Sequence, residues 1–305
     1  AGTWRGAADG RSEEVRSPFD GRVIDTVPVA TVQDAQAALD RAEIGAHLQR
    51  STPAHVRVDI LLRAAALADE RAEDIAQTIS AETGKPITEA RGEASRSGNI
   101  IRLAAYEGSQ LYGSTLPLDA NAGTGLDKIG FTLRQPVGIV VAITPFNYPA
   151  LLVLHKIAPA LAAGNAVVLK PARATPLTAL KLAQCFVDAG LPPEVLSVLT
   201  GPGSTLGDVL VTDPRVRKVS FTGSTATGTR ISSIAGVKKL SLELGASCPV
   251  IILPDADIEL AASAVAAGGF INAGQVCISV QRVIVDRRVE SDFLDALVPK
   301  VEAIA

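Results

Sequence analysis

From residue 131 onward, short and almost unbroken apolar runs alternate with stretches whose apolar residues recur at helical spacing. The candidate strands are "GIVVAIT" (138–144), "AVVLK" (166–170), "VLSVLT" (195–200), "KVSFTG" (218–223) and "KKLSLEL" (238–244), with "FTLRQP" as an extension strand before them. Continuous apolar strands separated by helices predict a parallel sheet covered on both faces, a doubly wound Rossmann-like α/β domain. Ahead of it, "VRSPFDGRVIDTVPV" alternates around Asp-Gly and predicts a β-hairpin. Three helical stretches follow, "TVQDAQAALDRAEIGA", "TPAHVRVDILLRAAALADERAEDIAQTISAETG" and "ITEARGEASRSGNIIRLAAYEGSQLYG", and predict a helical N-terminal layer. Beyond the sheet, the run "PVIILPDADI" leads through Asp255 and Asp257 into a helix, then a turn around Cys277, the strand "SVQRVIVD" and the helix "ESDFLDALVPKVEAIA". The pattern divides into a first domain over residues 1–245, with 114–136 as an extension, and the start of a second α/β domain over 246–305.

With 305 residues, 47% of them hydrophobic, there is material for two cores. The net charge of −3, from 29 basic and 32 acidic residues, leaves no polybasic stripe, so neither nucleic acid nor an anionic membrane is an expected partner. Small molecules and copies of the chain are. The longest apolar runs are short or broken by Lys and Pro, and "AGTWRGAADGRSEE" lacks a signal-peptide core; a cytoplasmic location is expected. Cys185, Cys248 and Cys277 have unrelated spacings and no clustered His, which predicts free thiols and no metal site. The complete lack of methionine points to a longer parent sequence.

Several stretches carry chemistry, each with a plainer alternative. In "FTGSTATG" (221–228), Gly223 and Gly228 surround Ser224, Thr225 and Thr227 where a strand enters a helix. Such a junction offers N–H groups and a helix dipole to a phosphate, or is merely a turn. Lys170 and Arg173 in "NAVVLKPARATP" follow a strand end, where open α/β sheets bind ligands, or they are solvated cations on a loop. Glu243 in "SLELGASCP" is either a buried carboxyl with a raised pKa, suited to a general base, or a strand-edge residue facing water. Asn147 in "TPFNYP" is an oxyanion donor or a turn former. Cys185, on a helix, and Cys248, on an apolar strand approach, read as inert core thiols. Cys277 follows Gly274 and Gln275 in a polar turn and fits that reading less well.

In order and spacing, "PFNYP", "VVLKPA", "SFTGS", "LELG" and "GQVC", with "ETGKPI" before them, resemble the aldehyde dehydrogenase superfamily. The runs "ITPFNYPALLVLHKIAPALAAGN" and "NAGQVCISV" look most like its branch acting on lactaldehyde and related small aldehydes. The resemblance implies oxidation of an aldehyde to an acid. Cys277 would be the nucleophile forming a thiohemiacetal, Asn147 and the Cys277 N–H the oxyanion donors, and Glu243 the base that activates water against the thioester. It further implies a cofactor-binding domain over 1–245, with Thr144, Pro145, Phe146, Lys170, Ala172, Arg173, Gly203, Phe221, Thr222, Gly223, Ser224, Thr227, Leu244 and Gly245 around a nicotinamide dinucleotide. A homodimer or homotetramer built through 114–136, and a catalytic domain beginning at 246, are implied as well. Arg102, Tyr106, Tyr148, Leu151, Leu152, Val276 and Ile278 are the candidate tunnel residues, mostly apolar, so a small neutral or hydroxylated aldehyde is expected.

Three departures stand out. Ala246 and Ser247 follow "LELG" where the family usually has a second Gly and often Lys. Arg173 follows "KPA" where many NAD-using members have Glu. A carboxylate there would accept the ribose hydroxyls, whereas Arg173 beside Lys170 would attract a 2′-phosphate, so of NADP and NAD the first is favoured. Finally, the family's Glu-Phe motif, most of its catalytic domain and its subunit-pairing strand are not in the sequence, so the 305 residues alone are expected to make a poor enzyme with an exposed sheet edge. Two alternatives remain: a dehydrogenase that passes the thioester to coenzyme A, against which Glu243 argues, and a catalytically silent nucleotide-binding or structural protein.

Overall fold

The computed structural model describes residues 4–304. They form two compact units: the chain up to Thr222 together with Ala226–Leu242, and Gly223–Thr225 together with the chain from Glu243.

The first unit opens with the antiparallel hairpin β1 (Ser12–Arg16) and β2 (Val23–Pro28), which carries a register shift between Val15 and Arg16. Five helices follow: α1 (Val32–Ser51), α2 (Ala54–Glu70), α3 (Ala72–Thr83), α4 (Ile87–Ala94) and α5 (Ser97–Ser109). At the start of α1, Thr31 Oγ1 accepts from the Asp34 N–H at 3.2 Å while Asp34 Oδ2 accepts from the Thr31 N–H at 2.8 Å. This reciprocal cap satisfies two donors that a helix end otherwise leaves without partners. Two of the three expected helical stretches are divided, one at Arg71 and one at Ser95–Arg96. The buried positions Leu61, Ala64, Ala68, Ile75 and Ile79 keep one helical phase across Arg71, so the break leaves no mark in the periodicity.

The expected strand "FTLRQP" is a strand only at its first residue: β4 (Gly130–Phe131) pairs antiparallel with β3 (Thr115–Leu116), and residues 132–136 are irregular. A two-residue ribbon has no further strand here to extend it, and such ribbons are marginal in water.

The central sheet consists of β5 (Ile139–Ile143), β6 (Ala166–Lys170), β7 (Leu196–Val198), β8 (Val216–Thr222) and β9 (Lys239–Glu243) in the order β7-β6-β5-β8-β9. Its β5–β6, β5–β8 and β6–β7 pairs are parallel, as expected. The helices α6 (Leu151–Ala162), α7 (Pro176–Asp188), α8 (Gly203–Thr212) and α9 (Thr225–Ile234) connect them. Every residue of β5 and β6 is buried, which is why both read as unbroken apolar runs. The chain runs from β5 to one edge through β6 and β7, then crosses to the other side through β8, which creates a switch point beside β5. The core on this sheet is built by Leu61, Ile79, Ile101, Leu154, Leu169, Leu182 and Phe186.

Glu82, on α3, caps α7: its carboxyl oxygens accept from the Leu177 N–H at 2.6 Å, the Thr178 N–H at 3.0 Å and the Thr178 hydroxyl at 2.6 Å. Burial lifts its pKa from 4.5 to about 7, the three donors pulling the other way. The folded state therefore holds this proton more tightly than the unfolded chain, so the contribution is full below about pH 4.5 and is lost as pH rises through about 7. Urea titrations between these limits are expected to show a loss of roughly 3 kcal/mol that Glu82→Gln flattens. A variant with the slope of the wild type would assign the slope to another group.

The second unit pairs β10 (Pro249–Ile252) and β11 (Arg282–Val285) in parallel and packs α10 (Ile258–Phe270) and α11 (Glu290–Glu302) around Ile252, Ala262, Val265 and Phe293. Asp257 caps α10 by accepting from the Leu260 N–H at 3.0 Å. Among the described residues no helix is long and apolar enough to cross a membrane, and no group of three or more His, Cys, Asp or Glu is placed to hold a metal.

Candidate active site

In the first unit, the expected cofactor residues Thr144, Pro145, Phe146, Lys170, Ala172 and Arg173 lie at or just beyond the carboxyl ends of β5 and β6, beside the switch point, where open α/β sheets hold ligands. Thr144 extends β5, its N–H donating to the Lys170 carbonyl at 3.2 Å, and its hydroxyl is buried with no hydrogen-bond partner among the described residues. Lys170 ends β6. It is 5% exposed, its ammonium donates to the Pro171 carbonyl at 2.7 Å, and burial pulls its pKa down to about 8 while the Glu13 carboxylate pushes the other way. Gly203 opens α8 so close by that a Cβ added there would lie 3.6 Å from Lys170 Cε. Ala172 is half-buried and Arg173 exposed on the loop into α7, and Pro145 and Phe146 stand at the mouth of the β5 loop. A cavity of about 740 Å³ between the N-terminal segment, the hairpin and α7 contains none of these cofactor residues.

Asn147 lies on the loop between β5 and α6, and a buried ion pair fixes that loop. Lys85 Nζ is 2.7 Å from Glu93 Oε2, donates to the Asn147 carbonyl at 3.0 Å and sits 3.9 Å from the Tyr148 ring centroid. Glu93 Oε1 accepts from the Ala150 and Leu151 N–H groups at 2.9 and 3.2 Å, where the α6 dipole favours a negative charge. Both side chains are 0% exposed.

At the β8–α9 junction Phe221 and Thr222 are buried, while Ser224 and Thr227 are exposed. Within the second unit the Gly223 N–H donates to the Glu243 carbonyl at 3.1 Å, and a Cβ on Gly245 would come within 3.4 Å of Thr225 Oγ1. Leu244 is half-buried. Glu243 itself is exposed, which selects the strand-edge alternative over the buried carboxyl. It closes β9, an edge of the central sheet, where the apolar sequence pattern of an interior strand no longer implies enclosure.

Cys277 is exposed and Cys185 is fully buried. The segment before Cys277 holds three consecutive left-handed residues, Asn272 (φ 50°), Ala273 (φ 54°) and Gly274 (φ 74°). Glycine adopts this region freely and asparagine occasionally, so the strain falls mainly on Ala273, at about 1–3 kcal/mol. The turn is held by the Gln275 N–H on the Asn272 carbonyl at 3.0 Å, the Val276 N–H on the Gly274 carbonyl at 2.9 Å and the Ser279 hydroxyl on the Gly269 carbonyl at 3.2 Å. Cys248 is not the core thiol the sequence suggested. It stands outside β10, half-buried, at φ 29°, and its thiol donates to the Cys277 carbonyl at 3.2 Å. The apolar run that misled begins one residue later.

Of the candidate tunnel residues, Tyr106 and Ile278 are exposed, whereas Leu151 is 5% exposed and Arg102 is engaged by Asp69 and Asn99.

The model of the aldehyde dehydrogenase family matches residues 4–305. The chain belongs to this family. It is 41% identical over 303 residues to a 3-sulfolactaldehyde dehydrogenase of Priestia megaterium, covering 99% of this chain and 62% of that protein. A lactaldehyde dehydrogenase of Methanocaldococcus jannaschii is 39% identical over 295 residues, covering 95% and 62%. The crystal structure of NADP-dependent glyceraldehyde-3-phosphate dehydrogenase from Bacillus halodurans C-125, complexed with NADP, superposes with a TM-score of 0.96 at 39% identity, covering 98% of this chain and 63% of that one. The chain thus spans just over three fifths of the length of these aldehyde dehydrogenases.

For an aldehyde dehydrogenase chain, the residues that sequence reasoning missed are the supports: Lys85 and Glu93 under the Asn147 loop, and Glu13 against Arg173. Lys85 follows the left-handed Gly84 (φ 73°) and precedes Pro86, which marks a bend but not its burial. Glu93 reads as one more exposed carboxylate on a short helix.

Proposed function

We propose that this chain carries the dinucleotide-binding region and the nucleophile of an NAD(P)-dependent aldehyde dehydrogenase that converts a small neutral or hydroxylated aldehyde to its acid. The observation that carries the reading is Cys277, exposed after a strained left-handed turn, in contrast to Cys185, whose thiol burial pushes up in pKa. A thiolate nucleophile needs access; a structural thiol needs burial.

Cys277 adds to the aldehyde carbon, and its own N–H stabilises the oxyanion of the thiohemiacetal; a donor role for Asn147 rests on the family resemblance. A nicotinamide dinucleotide bound here would supply the hydride acceptor needed for oxidation to the thioester level. The buried Thr144 hydroxyl, without a hydrogen-bond partner among the described residues, Lys170 and the exposed Gly203 suit the polar part of such a cofactor. Glu243 takes a proton from water as it attacks the thioester, releasing the acid and the Cys277 thiol. Its exposure leaves it accessible to water. Relatives named for 3-sulfolactaldehyde and lactaldehyde support a short hydroxylated substrate. The exposed Ile129, Phe131 and Leu133 of the 114–136 extension support association into a homodimer or homotetramer.

With Glu243→Gln, a pre-steady-state burst of reduced cofactor is expected to survive while steady turnover falls at least about a hundredfold, because the base acts only after the hydride has left. Loss of the burst together with turnover would make Glu243 an activator of Cys277 instead.

A further inference from the structure

Arg173, the cation that the sequence offers to a 2′-phosphate, is already engaged. Its Nε and Nη2 lie 2.7 and 2.6 Å from Oε2 of Glu13, 160 residues earlier in the chain. The carboxylate is the fixed member of the pair: the Glu13 side chain is 15% exposed and that of Arg173 65%. Glu13 sits on β1, and β1 is anchored because Val15 and Val27 pack on Leu177 of α7, the helix that Arg173 precedes. The second carboxyl oxygen, Glu13 Oε1, is buried with no hydrogen-bond partner among the described residues. A carboxylate oxygen in that state is costly unless a donor reaches it. Lys170, at the end of β6, lies within the field of the same carboxylate.

The pair has two consequences for a dinucleotide whose adenosine ribose lies near Lys170 and Arg173. A ribose 2′-hydroxyl is uncharged and is little affected by Glu13 Oε1, which is buried. A 2′-phosphate meets that oxygen's negative charge and finds the Arg173 guanidinium already neutralised.

We propose that Glu13, supplied by the N-terminal hairpin, is the specificity-determining residue for the cofactor: it replaces the carboxylate missing at position 173 and holds Arg173, and so lowers the affinity for NADP relative to NAD. This rests on the reading of the β5 and β6 ends as a dinucleotide site.

The test is calorimetric titration of NAD and NADP into wild type, Glu13→Gln and Arg173→Gln at one fixed ionic strength. Glu13→Gln is expected to tighten NADP by about tenfold, with NAD unchanged or weaker, because a negative charge is removed and a cation released. The gain is expected to shrink between about 50 and 500 mM salt, as screening shortens the reach of both charges. Arg173→Gln is expected to weaken NADP and spare NAD, which guards against a Glu13 variant that merely folds badly. A ratio of the two affinities that stays within about twofold in Glu13→Gln overturns the assignment. If wild type binds neither dinucleotide, the reading of the site falls and the assignment with it. If it binds both and only the ratio fails to move, the site stands and Glu13 does not select.

Discussion

Replacing Cys277 by serine is expected to cut aldehyde oxidation by at least about a thousandfold, equivalent to about 4 kcal/mol of transition-state stabilisation. Dinucleotide affinity is expected to stay within about twofold, since Cys277 is not among the residues proposed to hold the cofactor. The physical reason is proton affinity. A thiol yields useful amounts of thiolate near neutral pH, whereas a serine hydroxyl needs a strong adjacent base to act as a nucleophile. The backbone would change little, because the turn before it is fixed by Asn272, Ala273 and Gly274 and not by the side chain at 277. Two comparisons sharpen the result. Cys185→Ser lies in the core and should alter stability before activity. Cys248→Ala removes only the thiol donor on the Cys277 carbonyl and should cost activity far less than Cys277→Ser. Stopped-flow measurement of reduced cofactor reads all three; a Cys277→Ser enzyme that keeps a tenth of wild-type activity would place the nucleophile elsewhere.

Glu93→Ala is expected to destabilise the first unit by about 3–5 kcal/mol, because it leaves a buried ammonium without its counter-charge. It also orphans the Ala150 and Leu151 N–H groups at the start of α6. Lys85→Met should cost less: the Glu93 carboxylate that remains still accepts from two N–H groups at a helix N-terminus, a setting that suits a negative charge. Both substitutions remove a restraint on Asn147, directly through its carbonyl or through the helix that follows it. Urea unfolding followed by circular dichroism measures the difference. A loss below about 1 kcal/mol for Glu93→Ala, or a larger one for Lys85→Met, would show that the pair is not the support described.

Much of the candidate site was legible because its parts are local. Lys170 falls at the end of an apolar five-residue strand, "FTGST" at a strand-to-helix crossing and Cys277 after a glycine turn, and each is recognisable within ten residues of chain. The supports were not readable, since Glu82 reaches Leu177, Glu93 reaches Ala150 and Glu13 reaches Arg173 across long stretches of sequence. The reading of Cys248 as a core thiol failed for a related reason. An apolar neighbourhood in sequence says which residues prefer burial, while exposure depends on whether another element covers that position.

Period and composition alone determined the parallel sheet, its strand positions and the helical layer, because runs such as β5 and β6 can satisfy their apolar side chains only when buried on both faces. They also determined which residue types stand at the strand ends. The tertiary structure alone decided the ionic partners of those ends. Whether Arg173 is a free cation or one half of an ion pair depends on where the N-terminal hairpin docks, and that docking is set by Val15, Val27 and Leu177 meeting in a small core far from one another in sequence. Hydrophobic patterning acts along the chain, whereas electrostatic partnership acts through space.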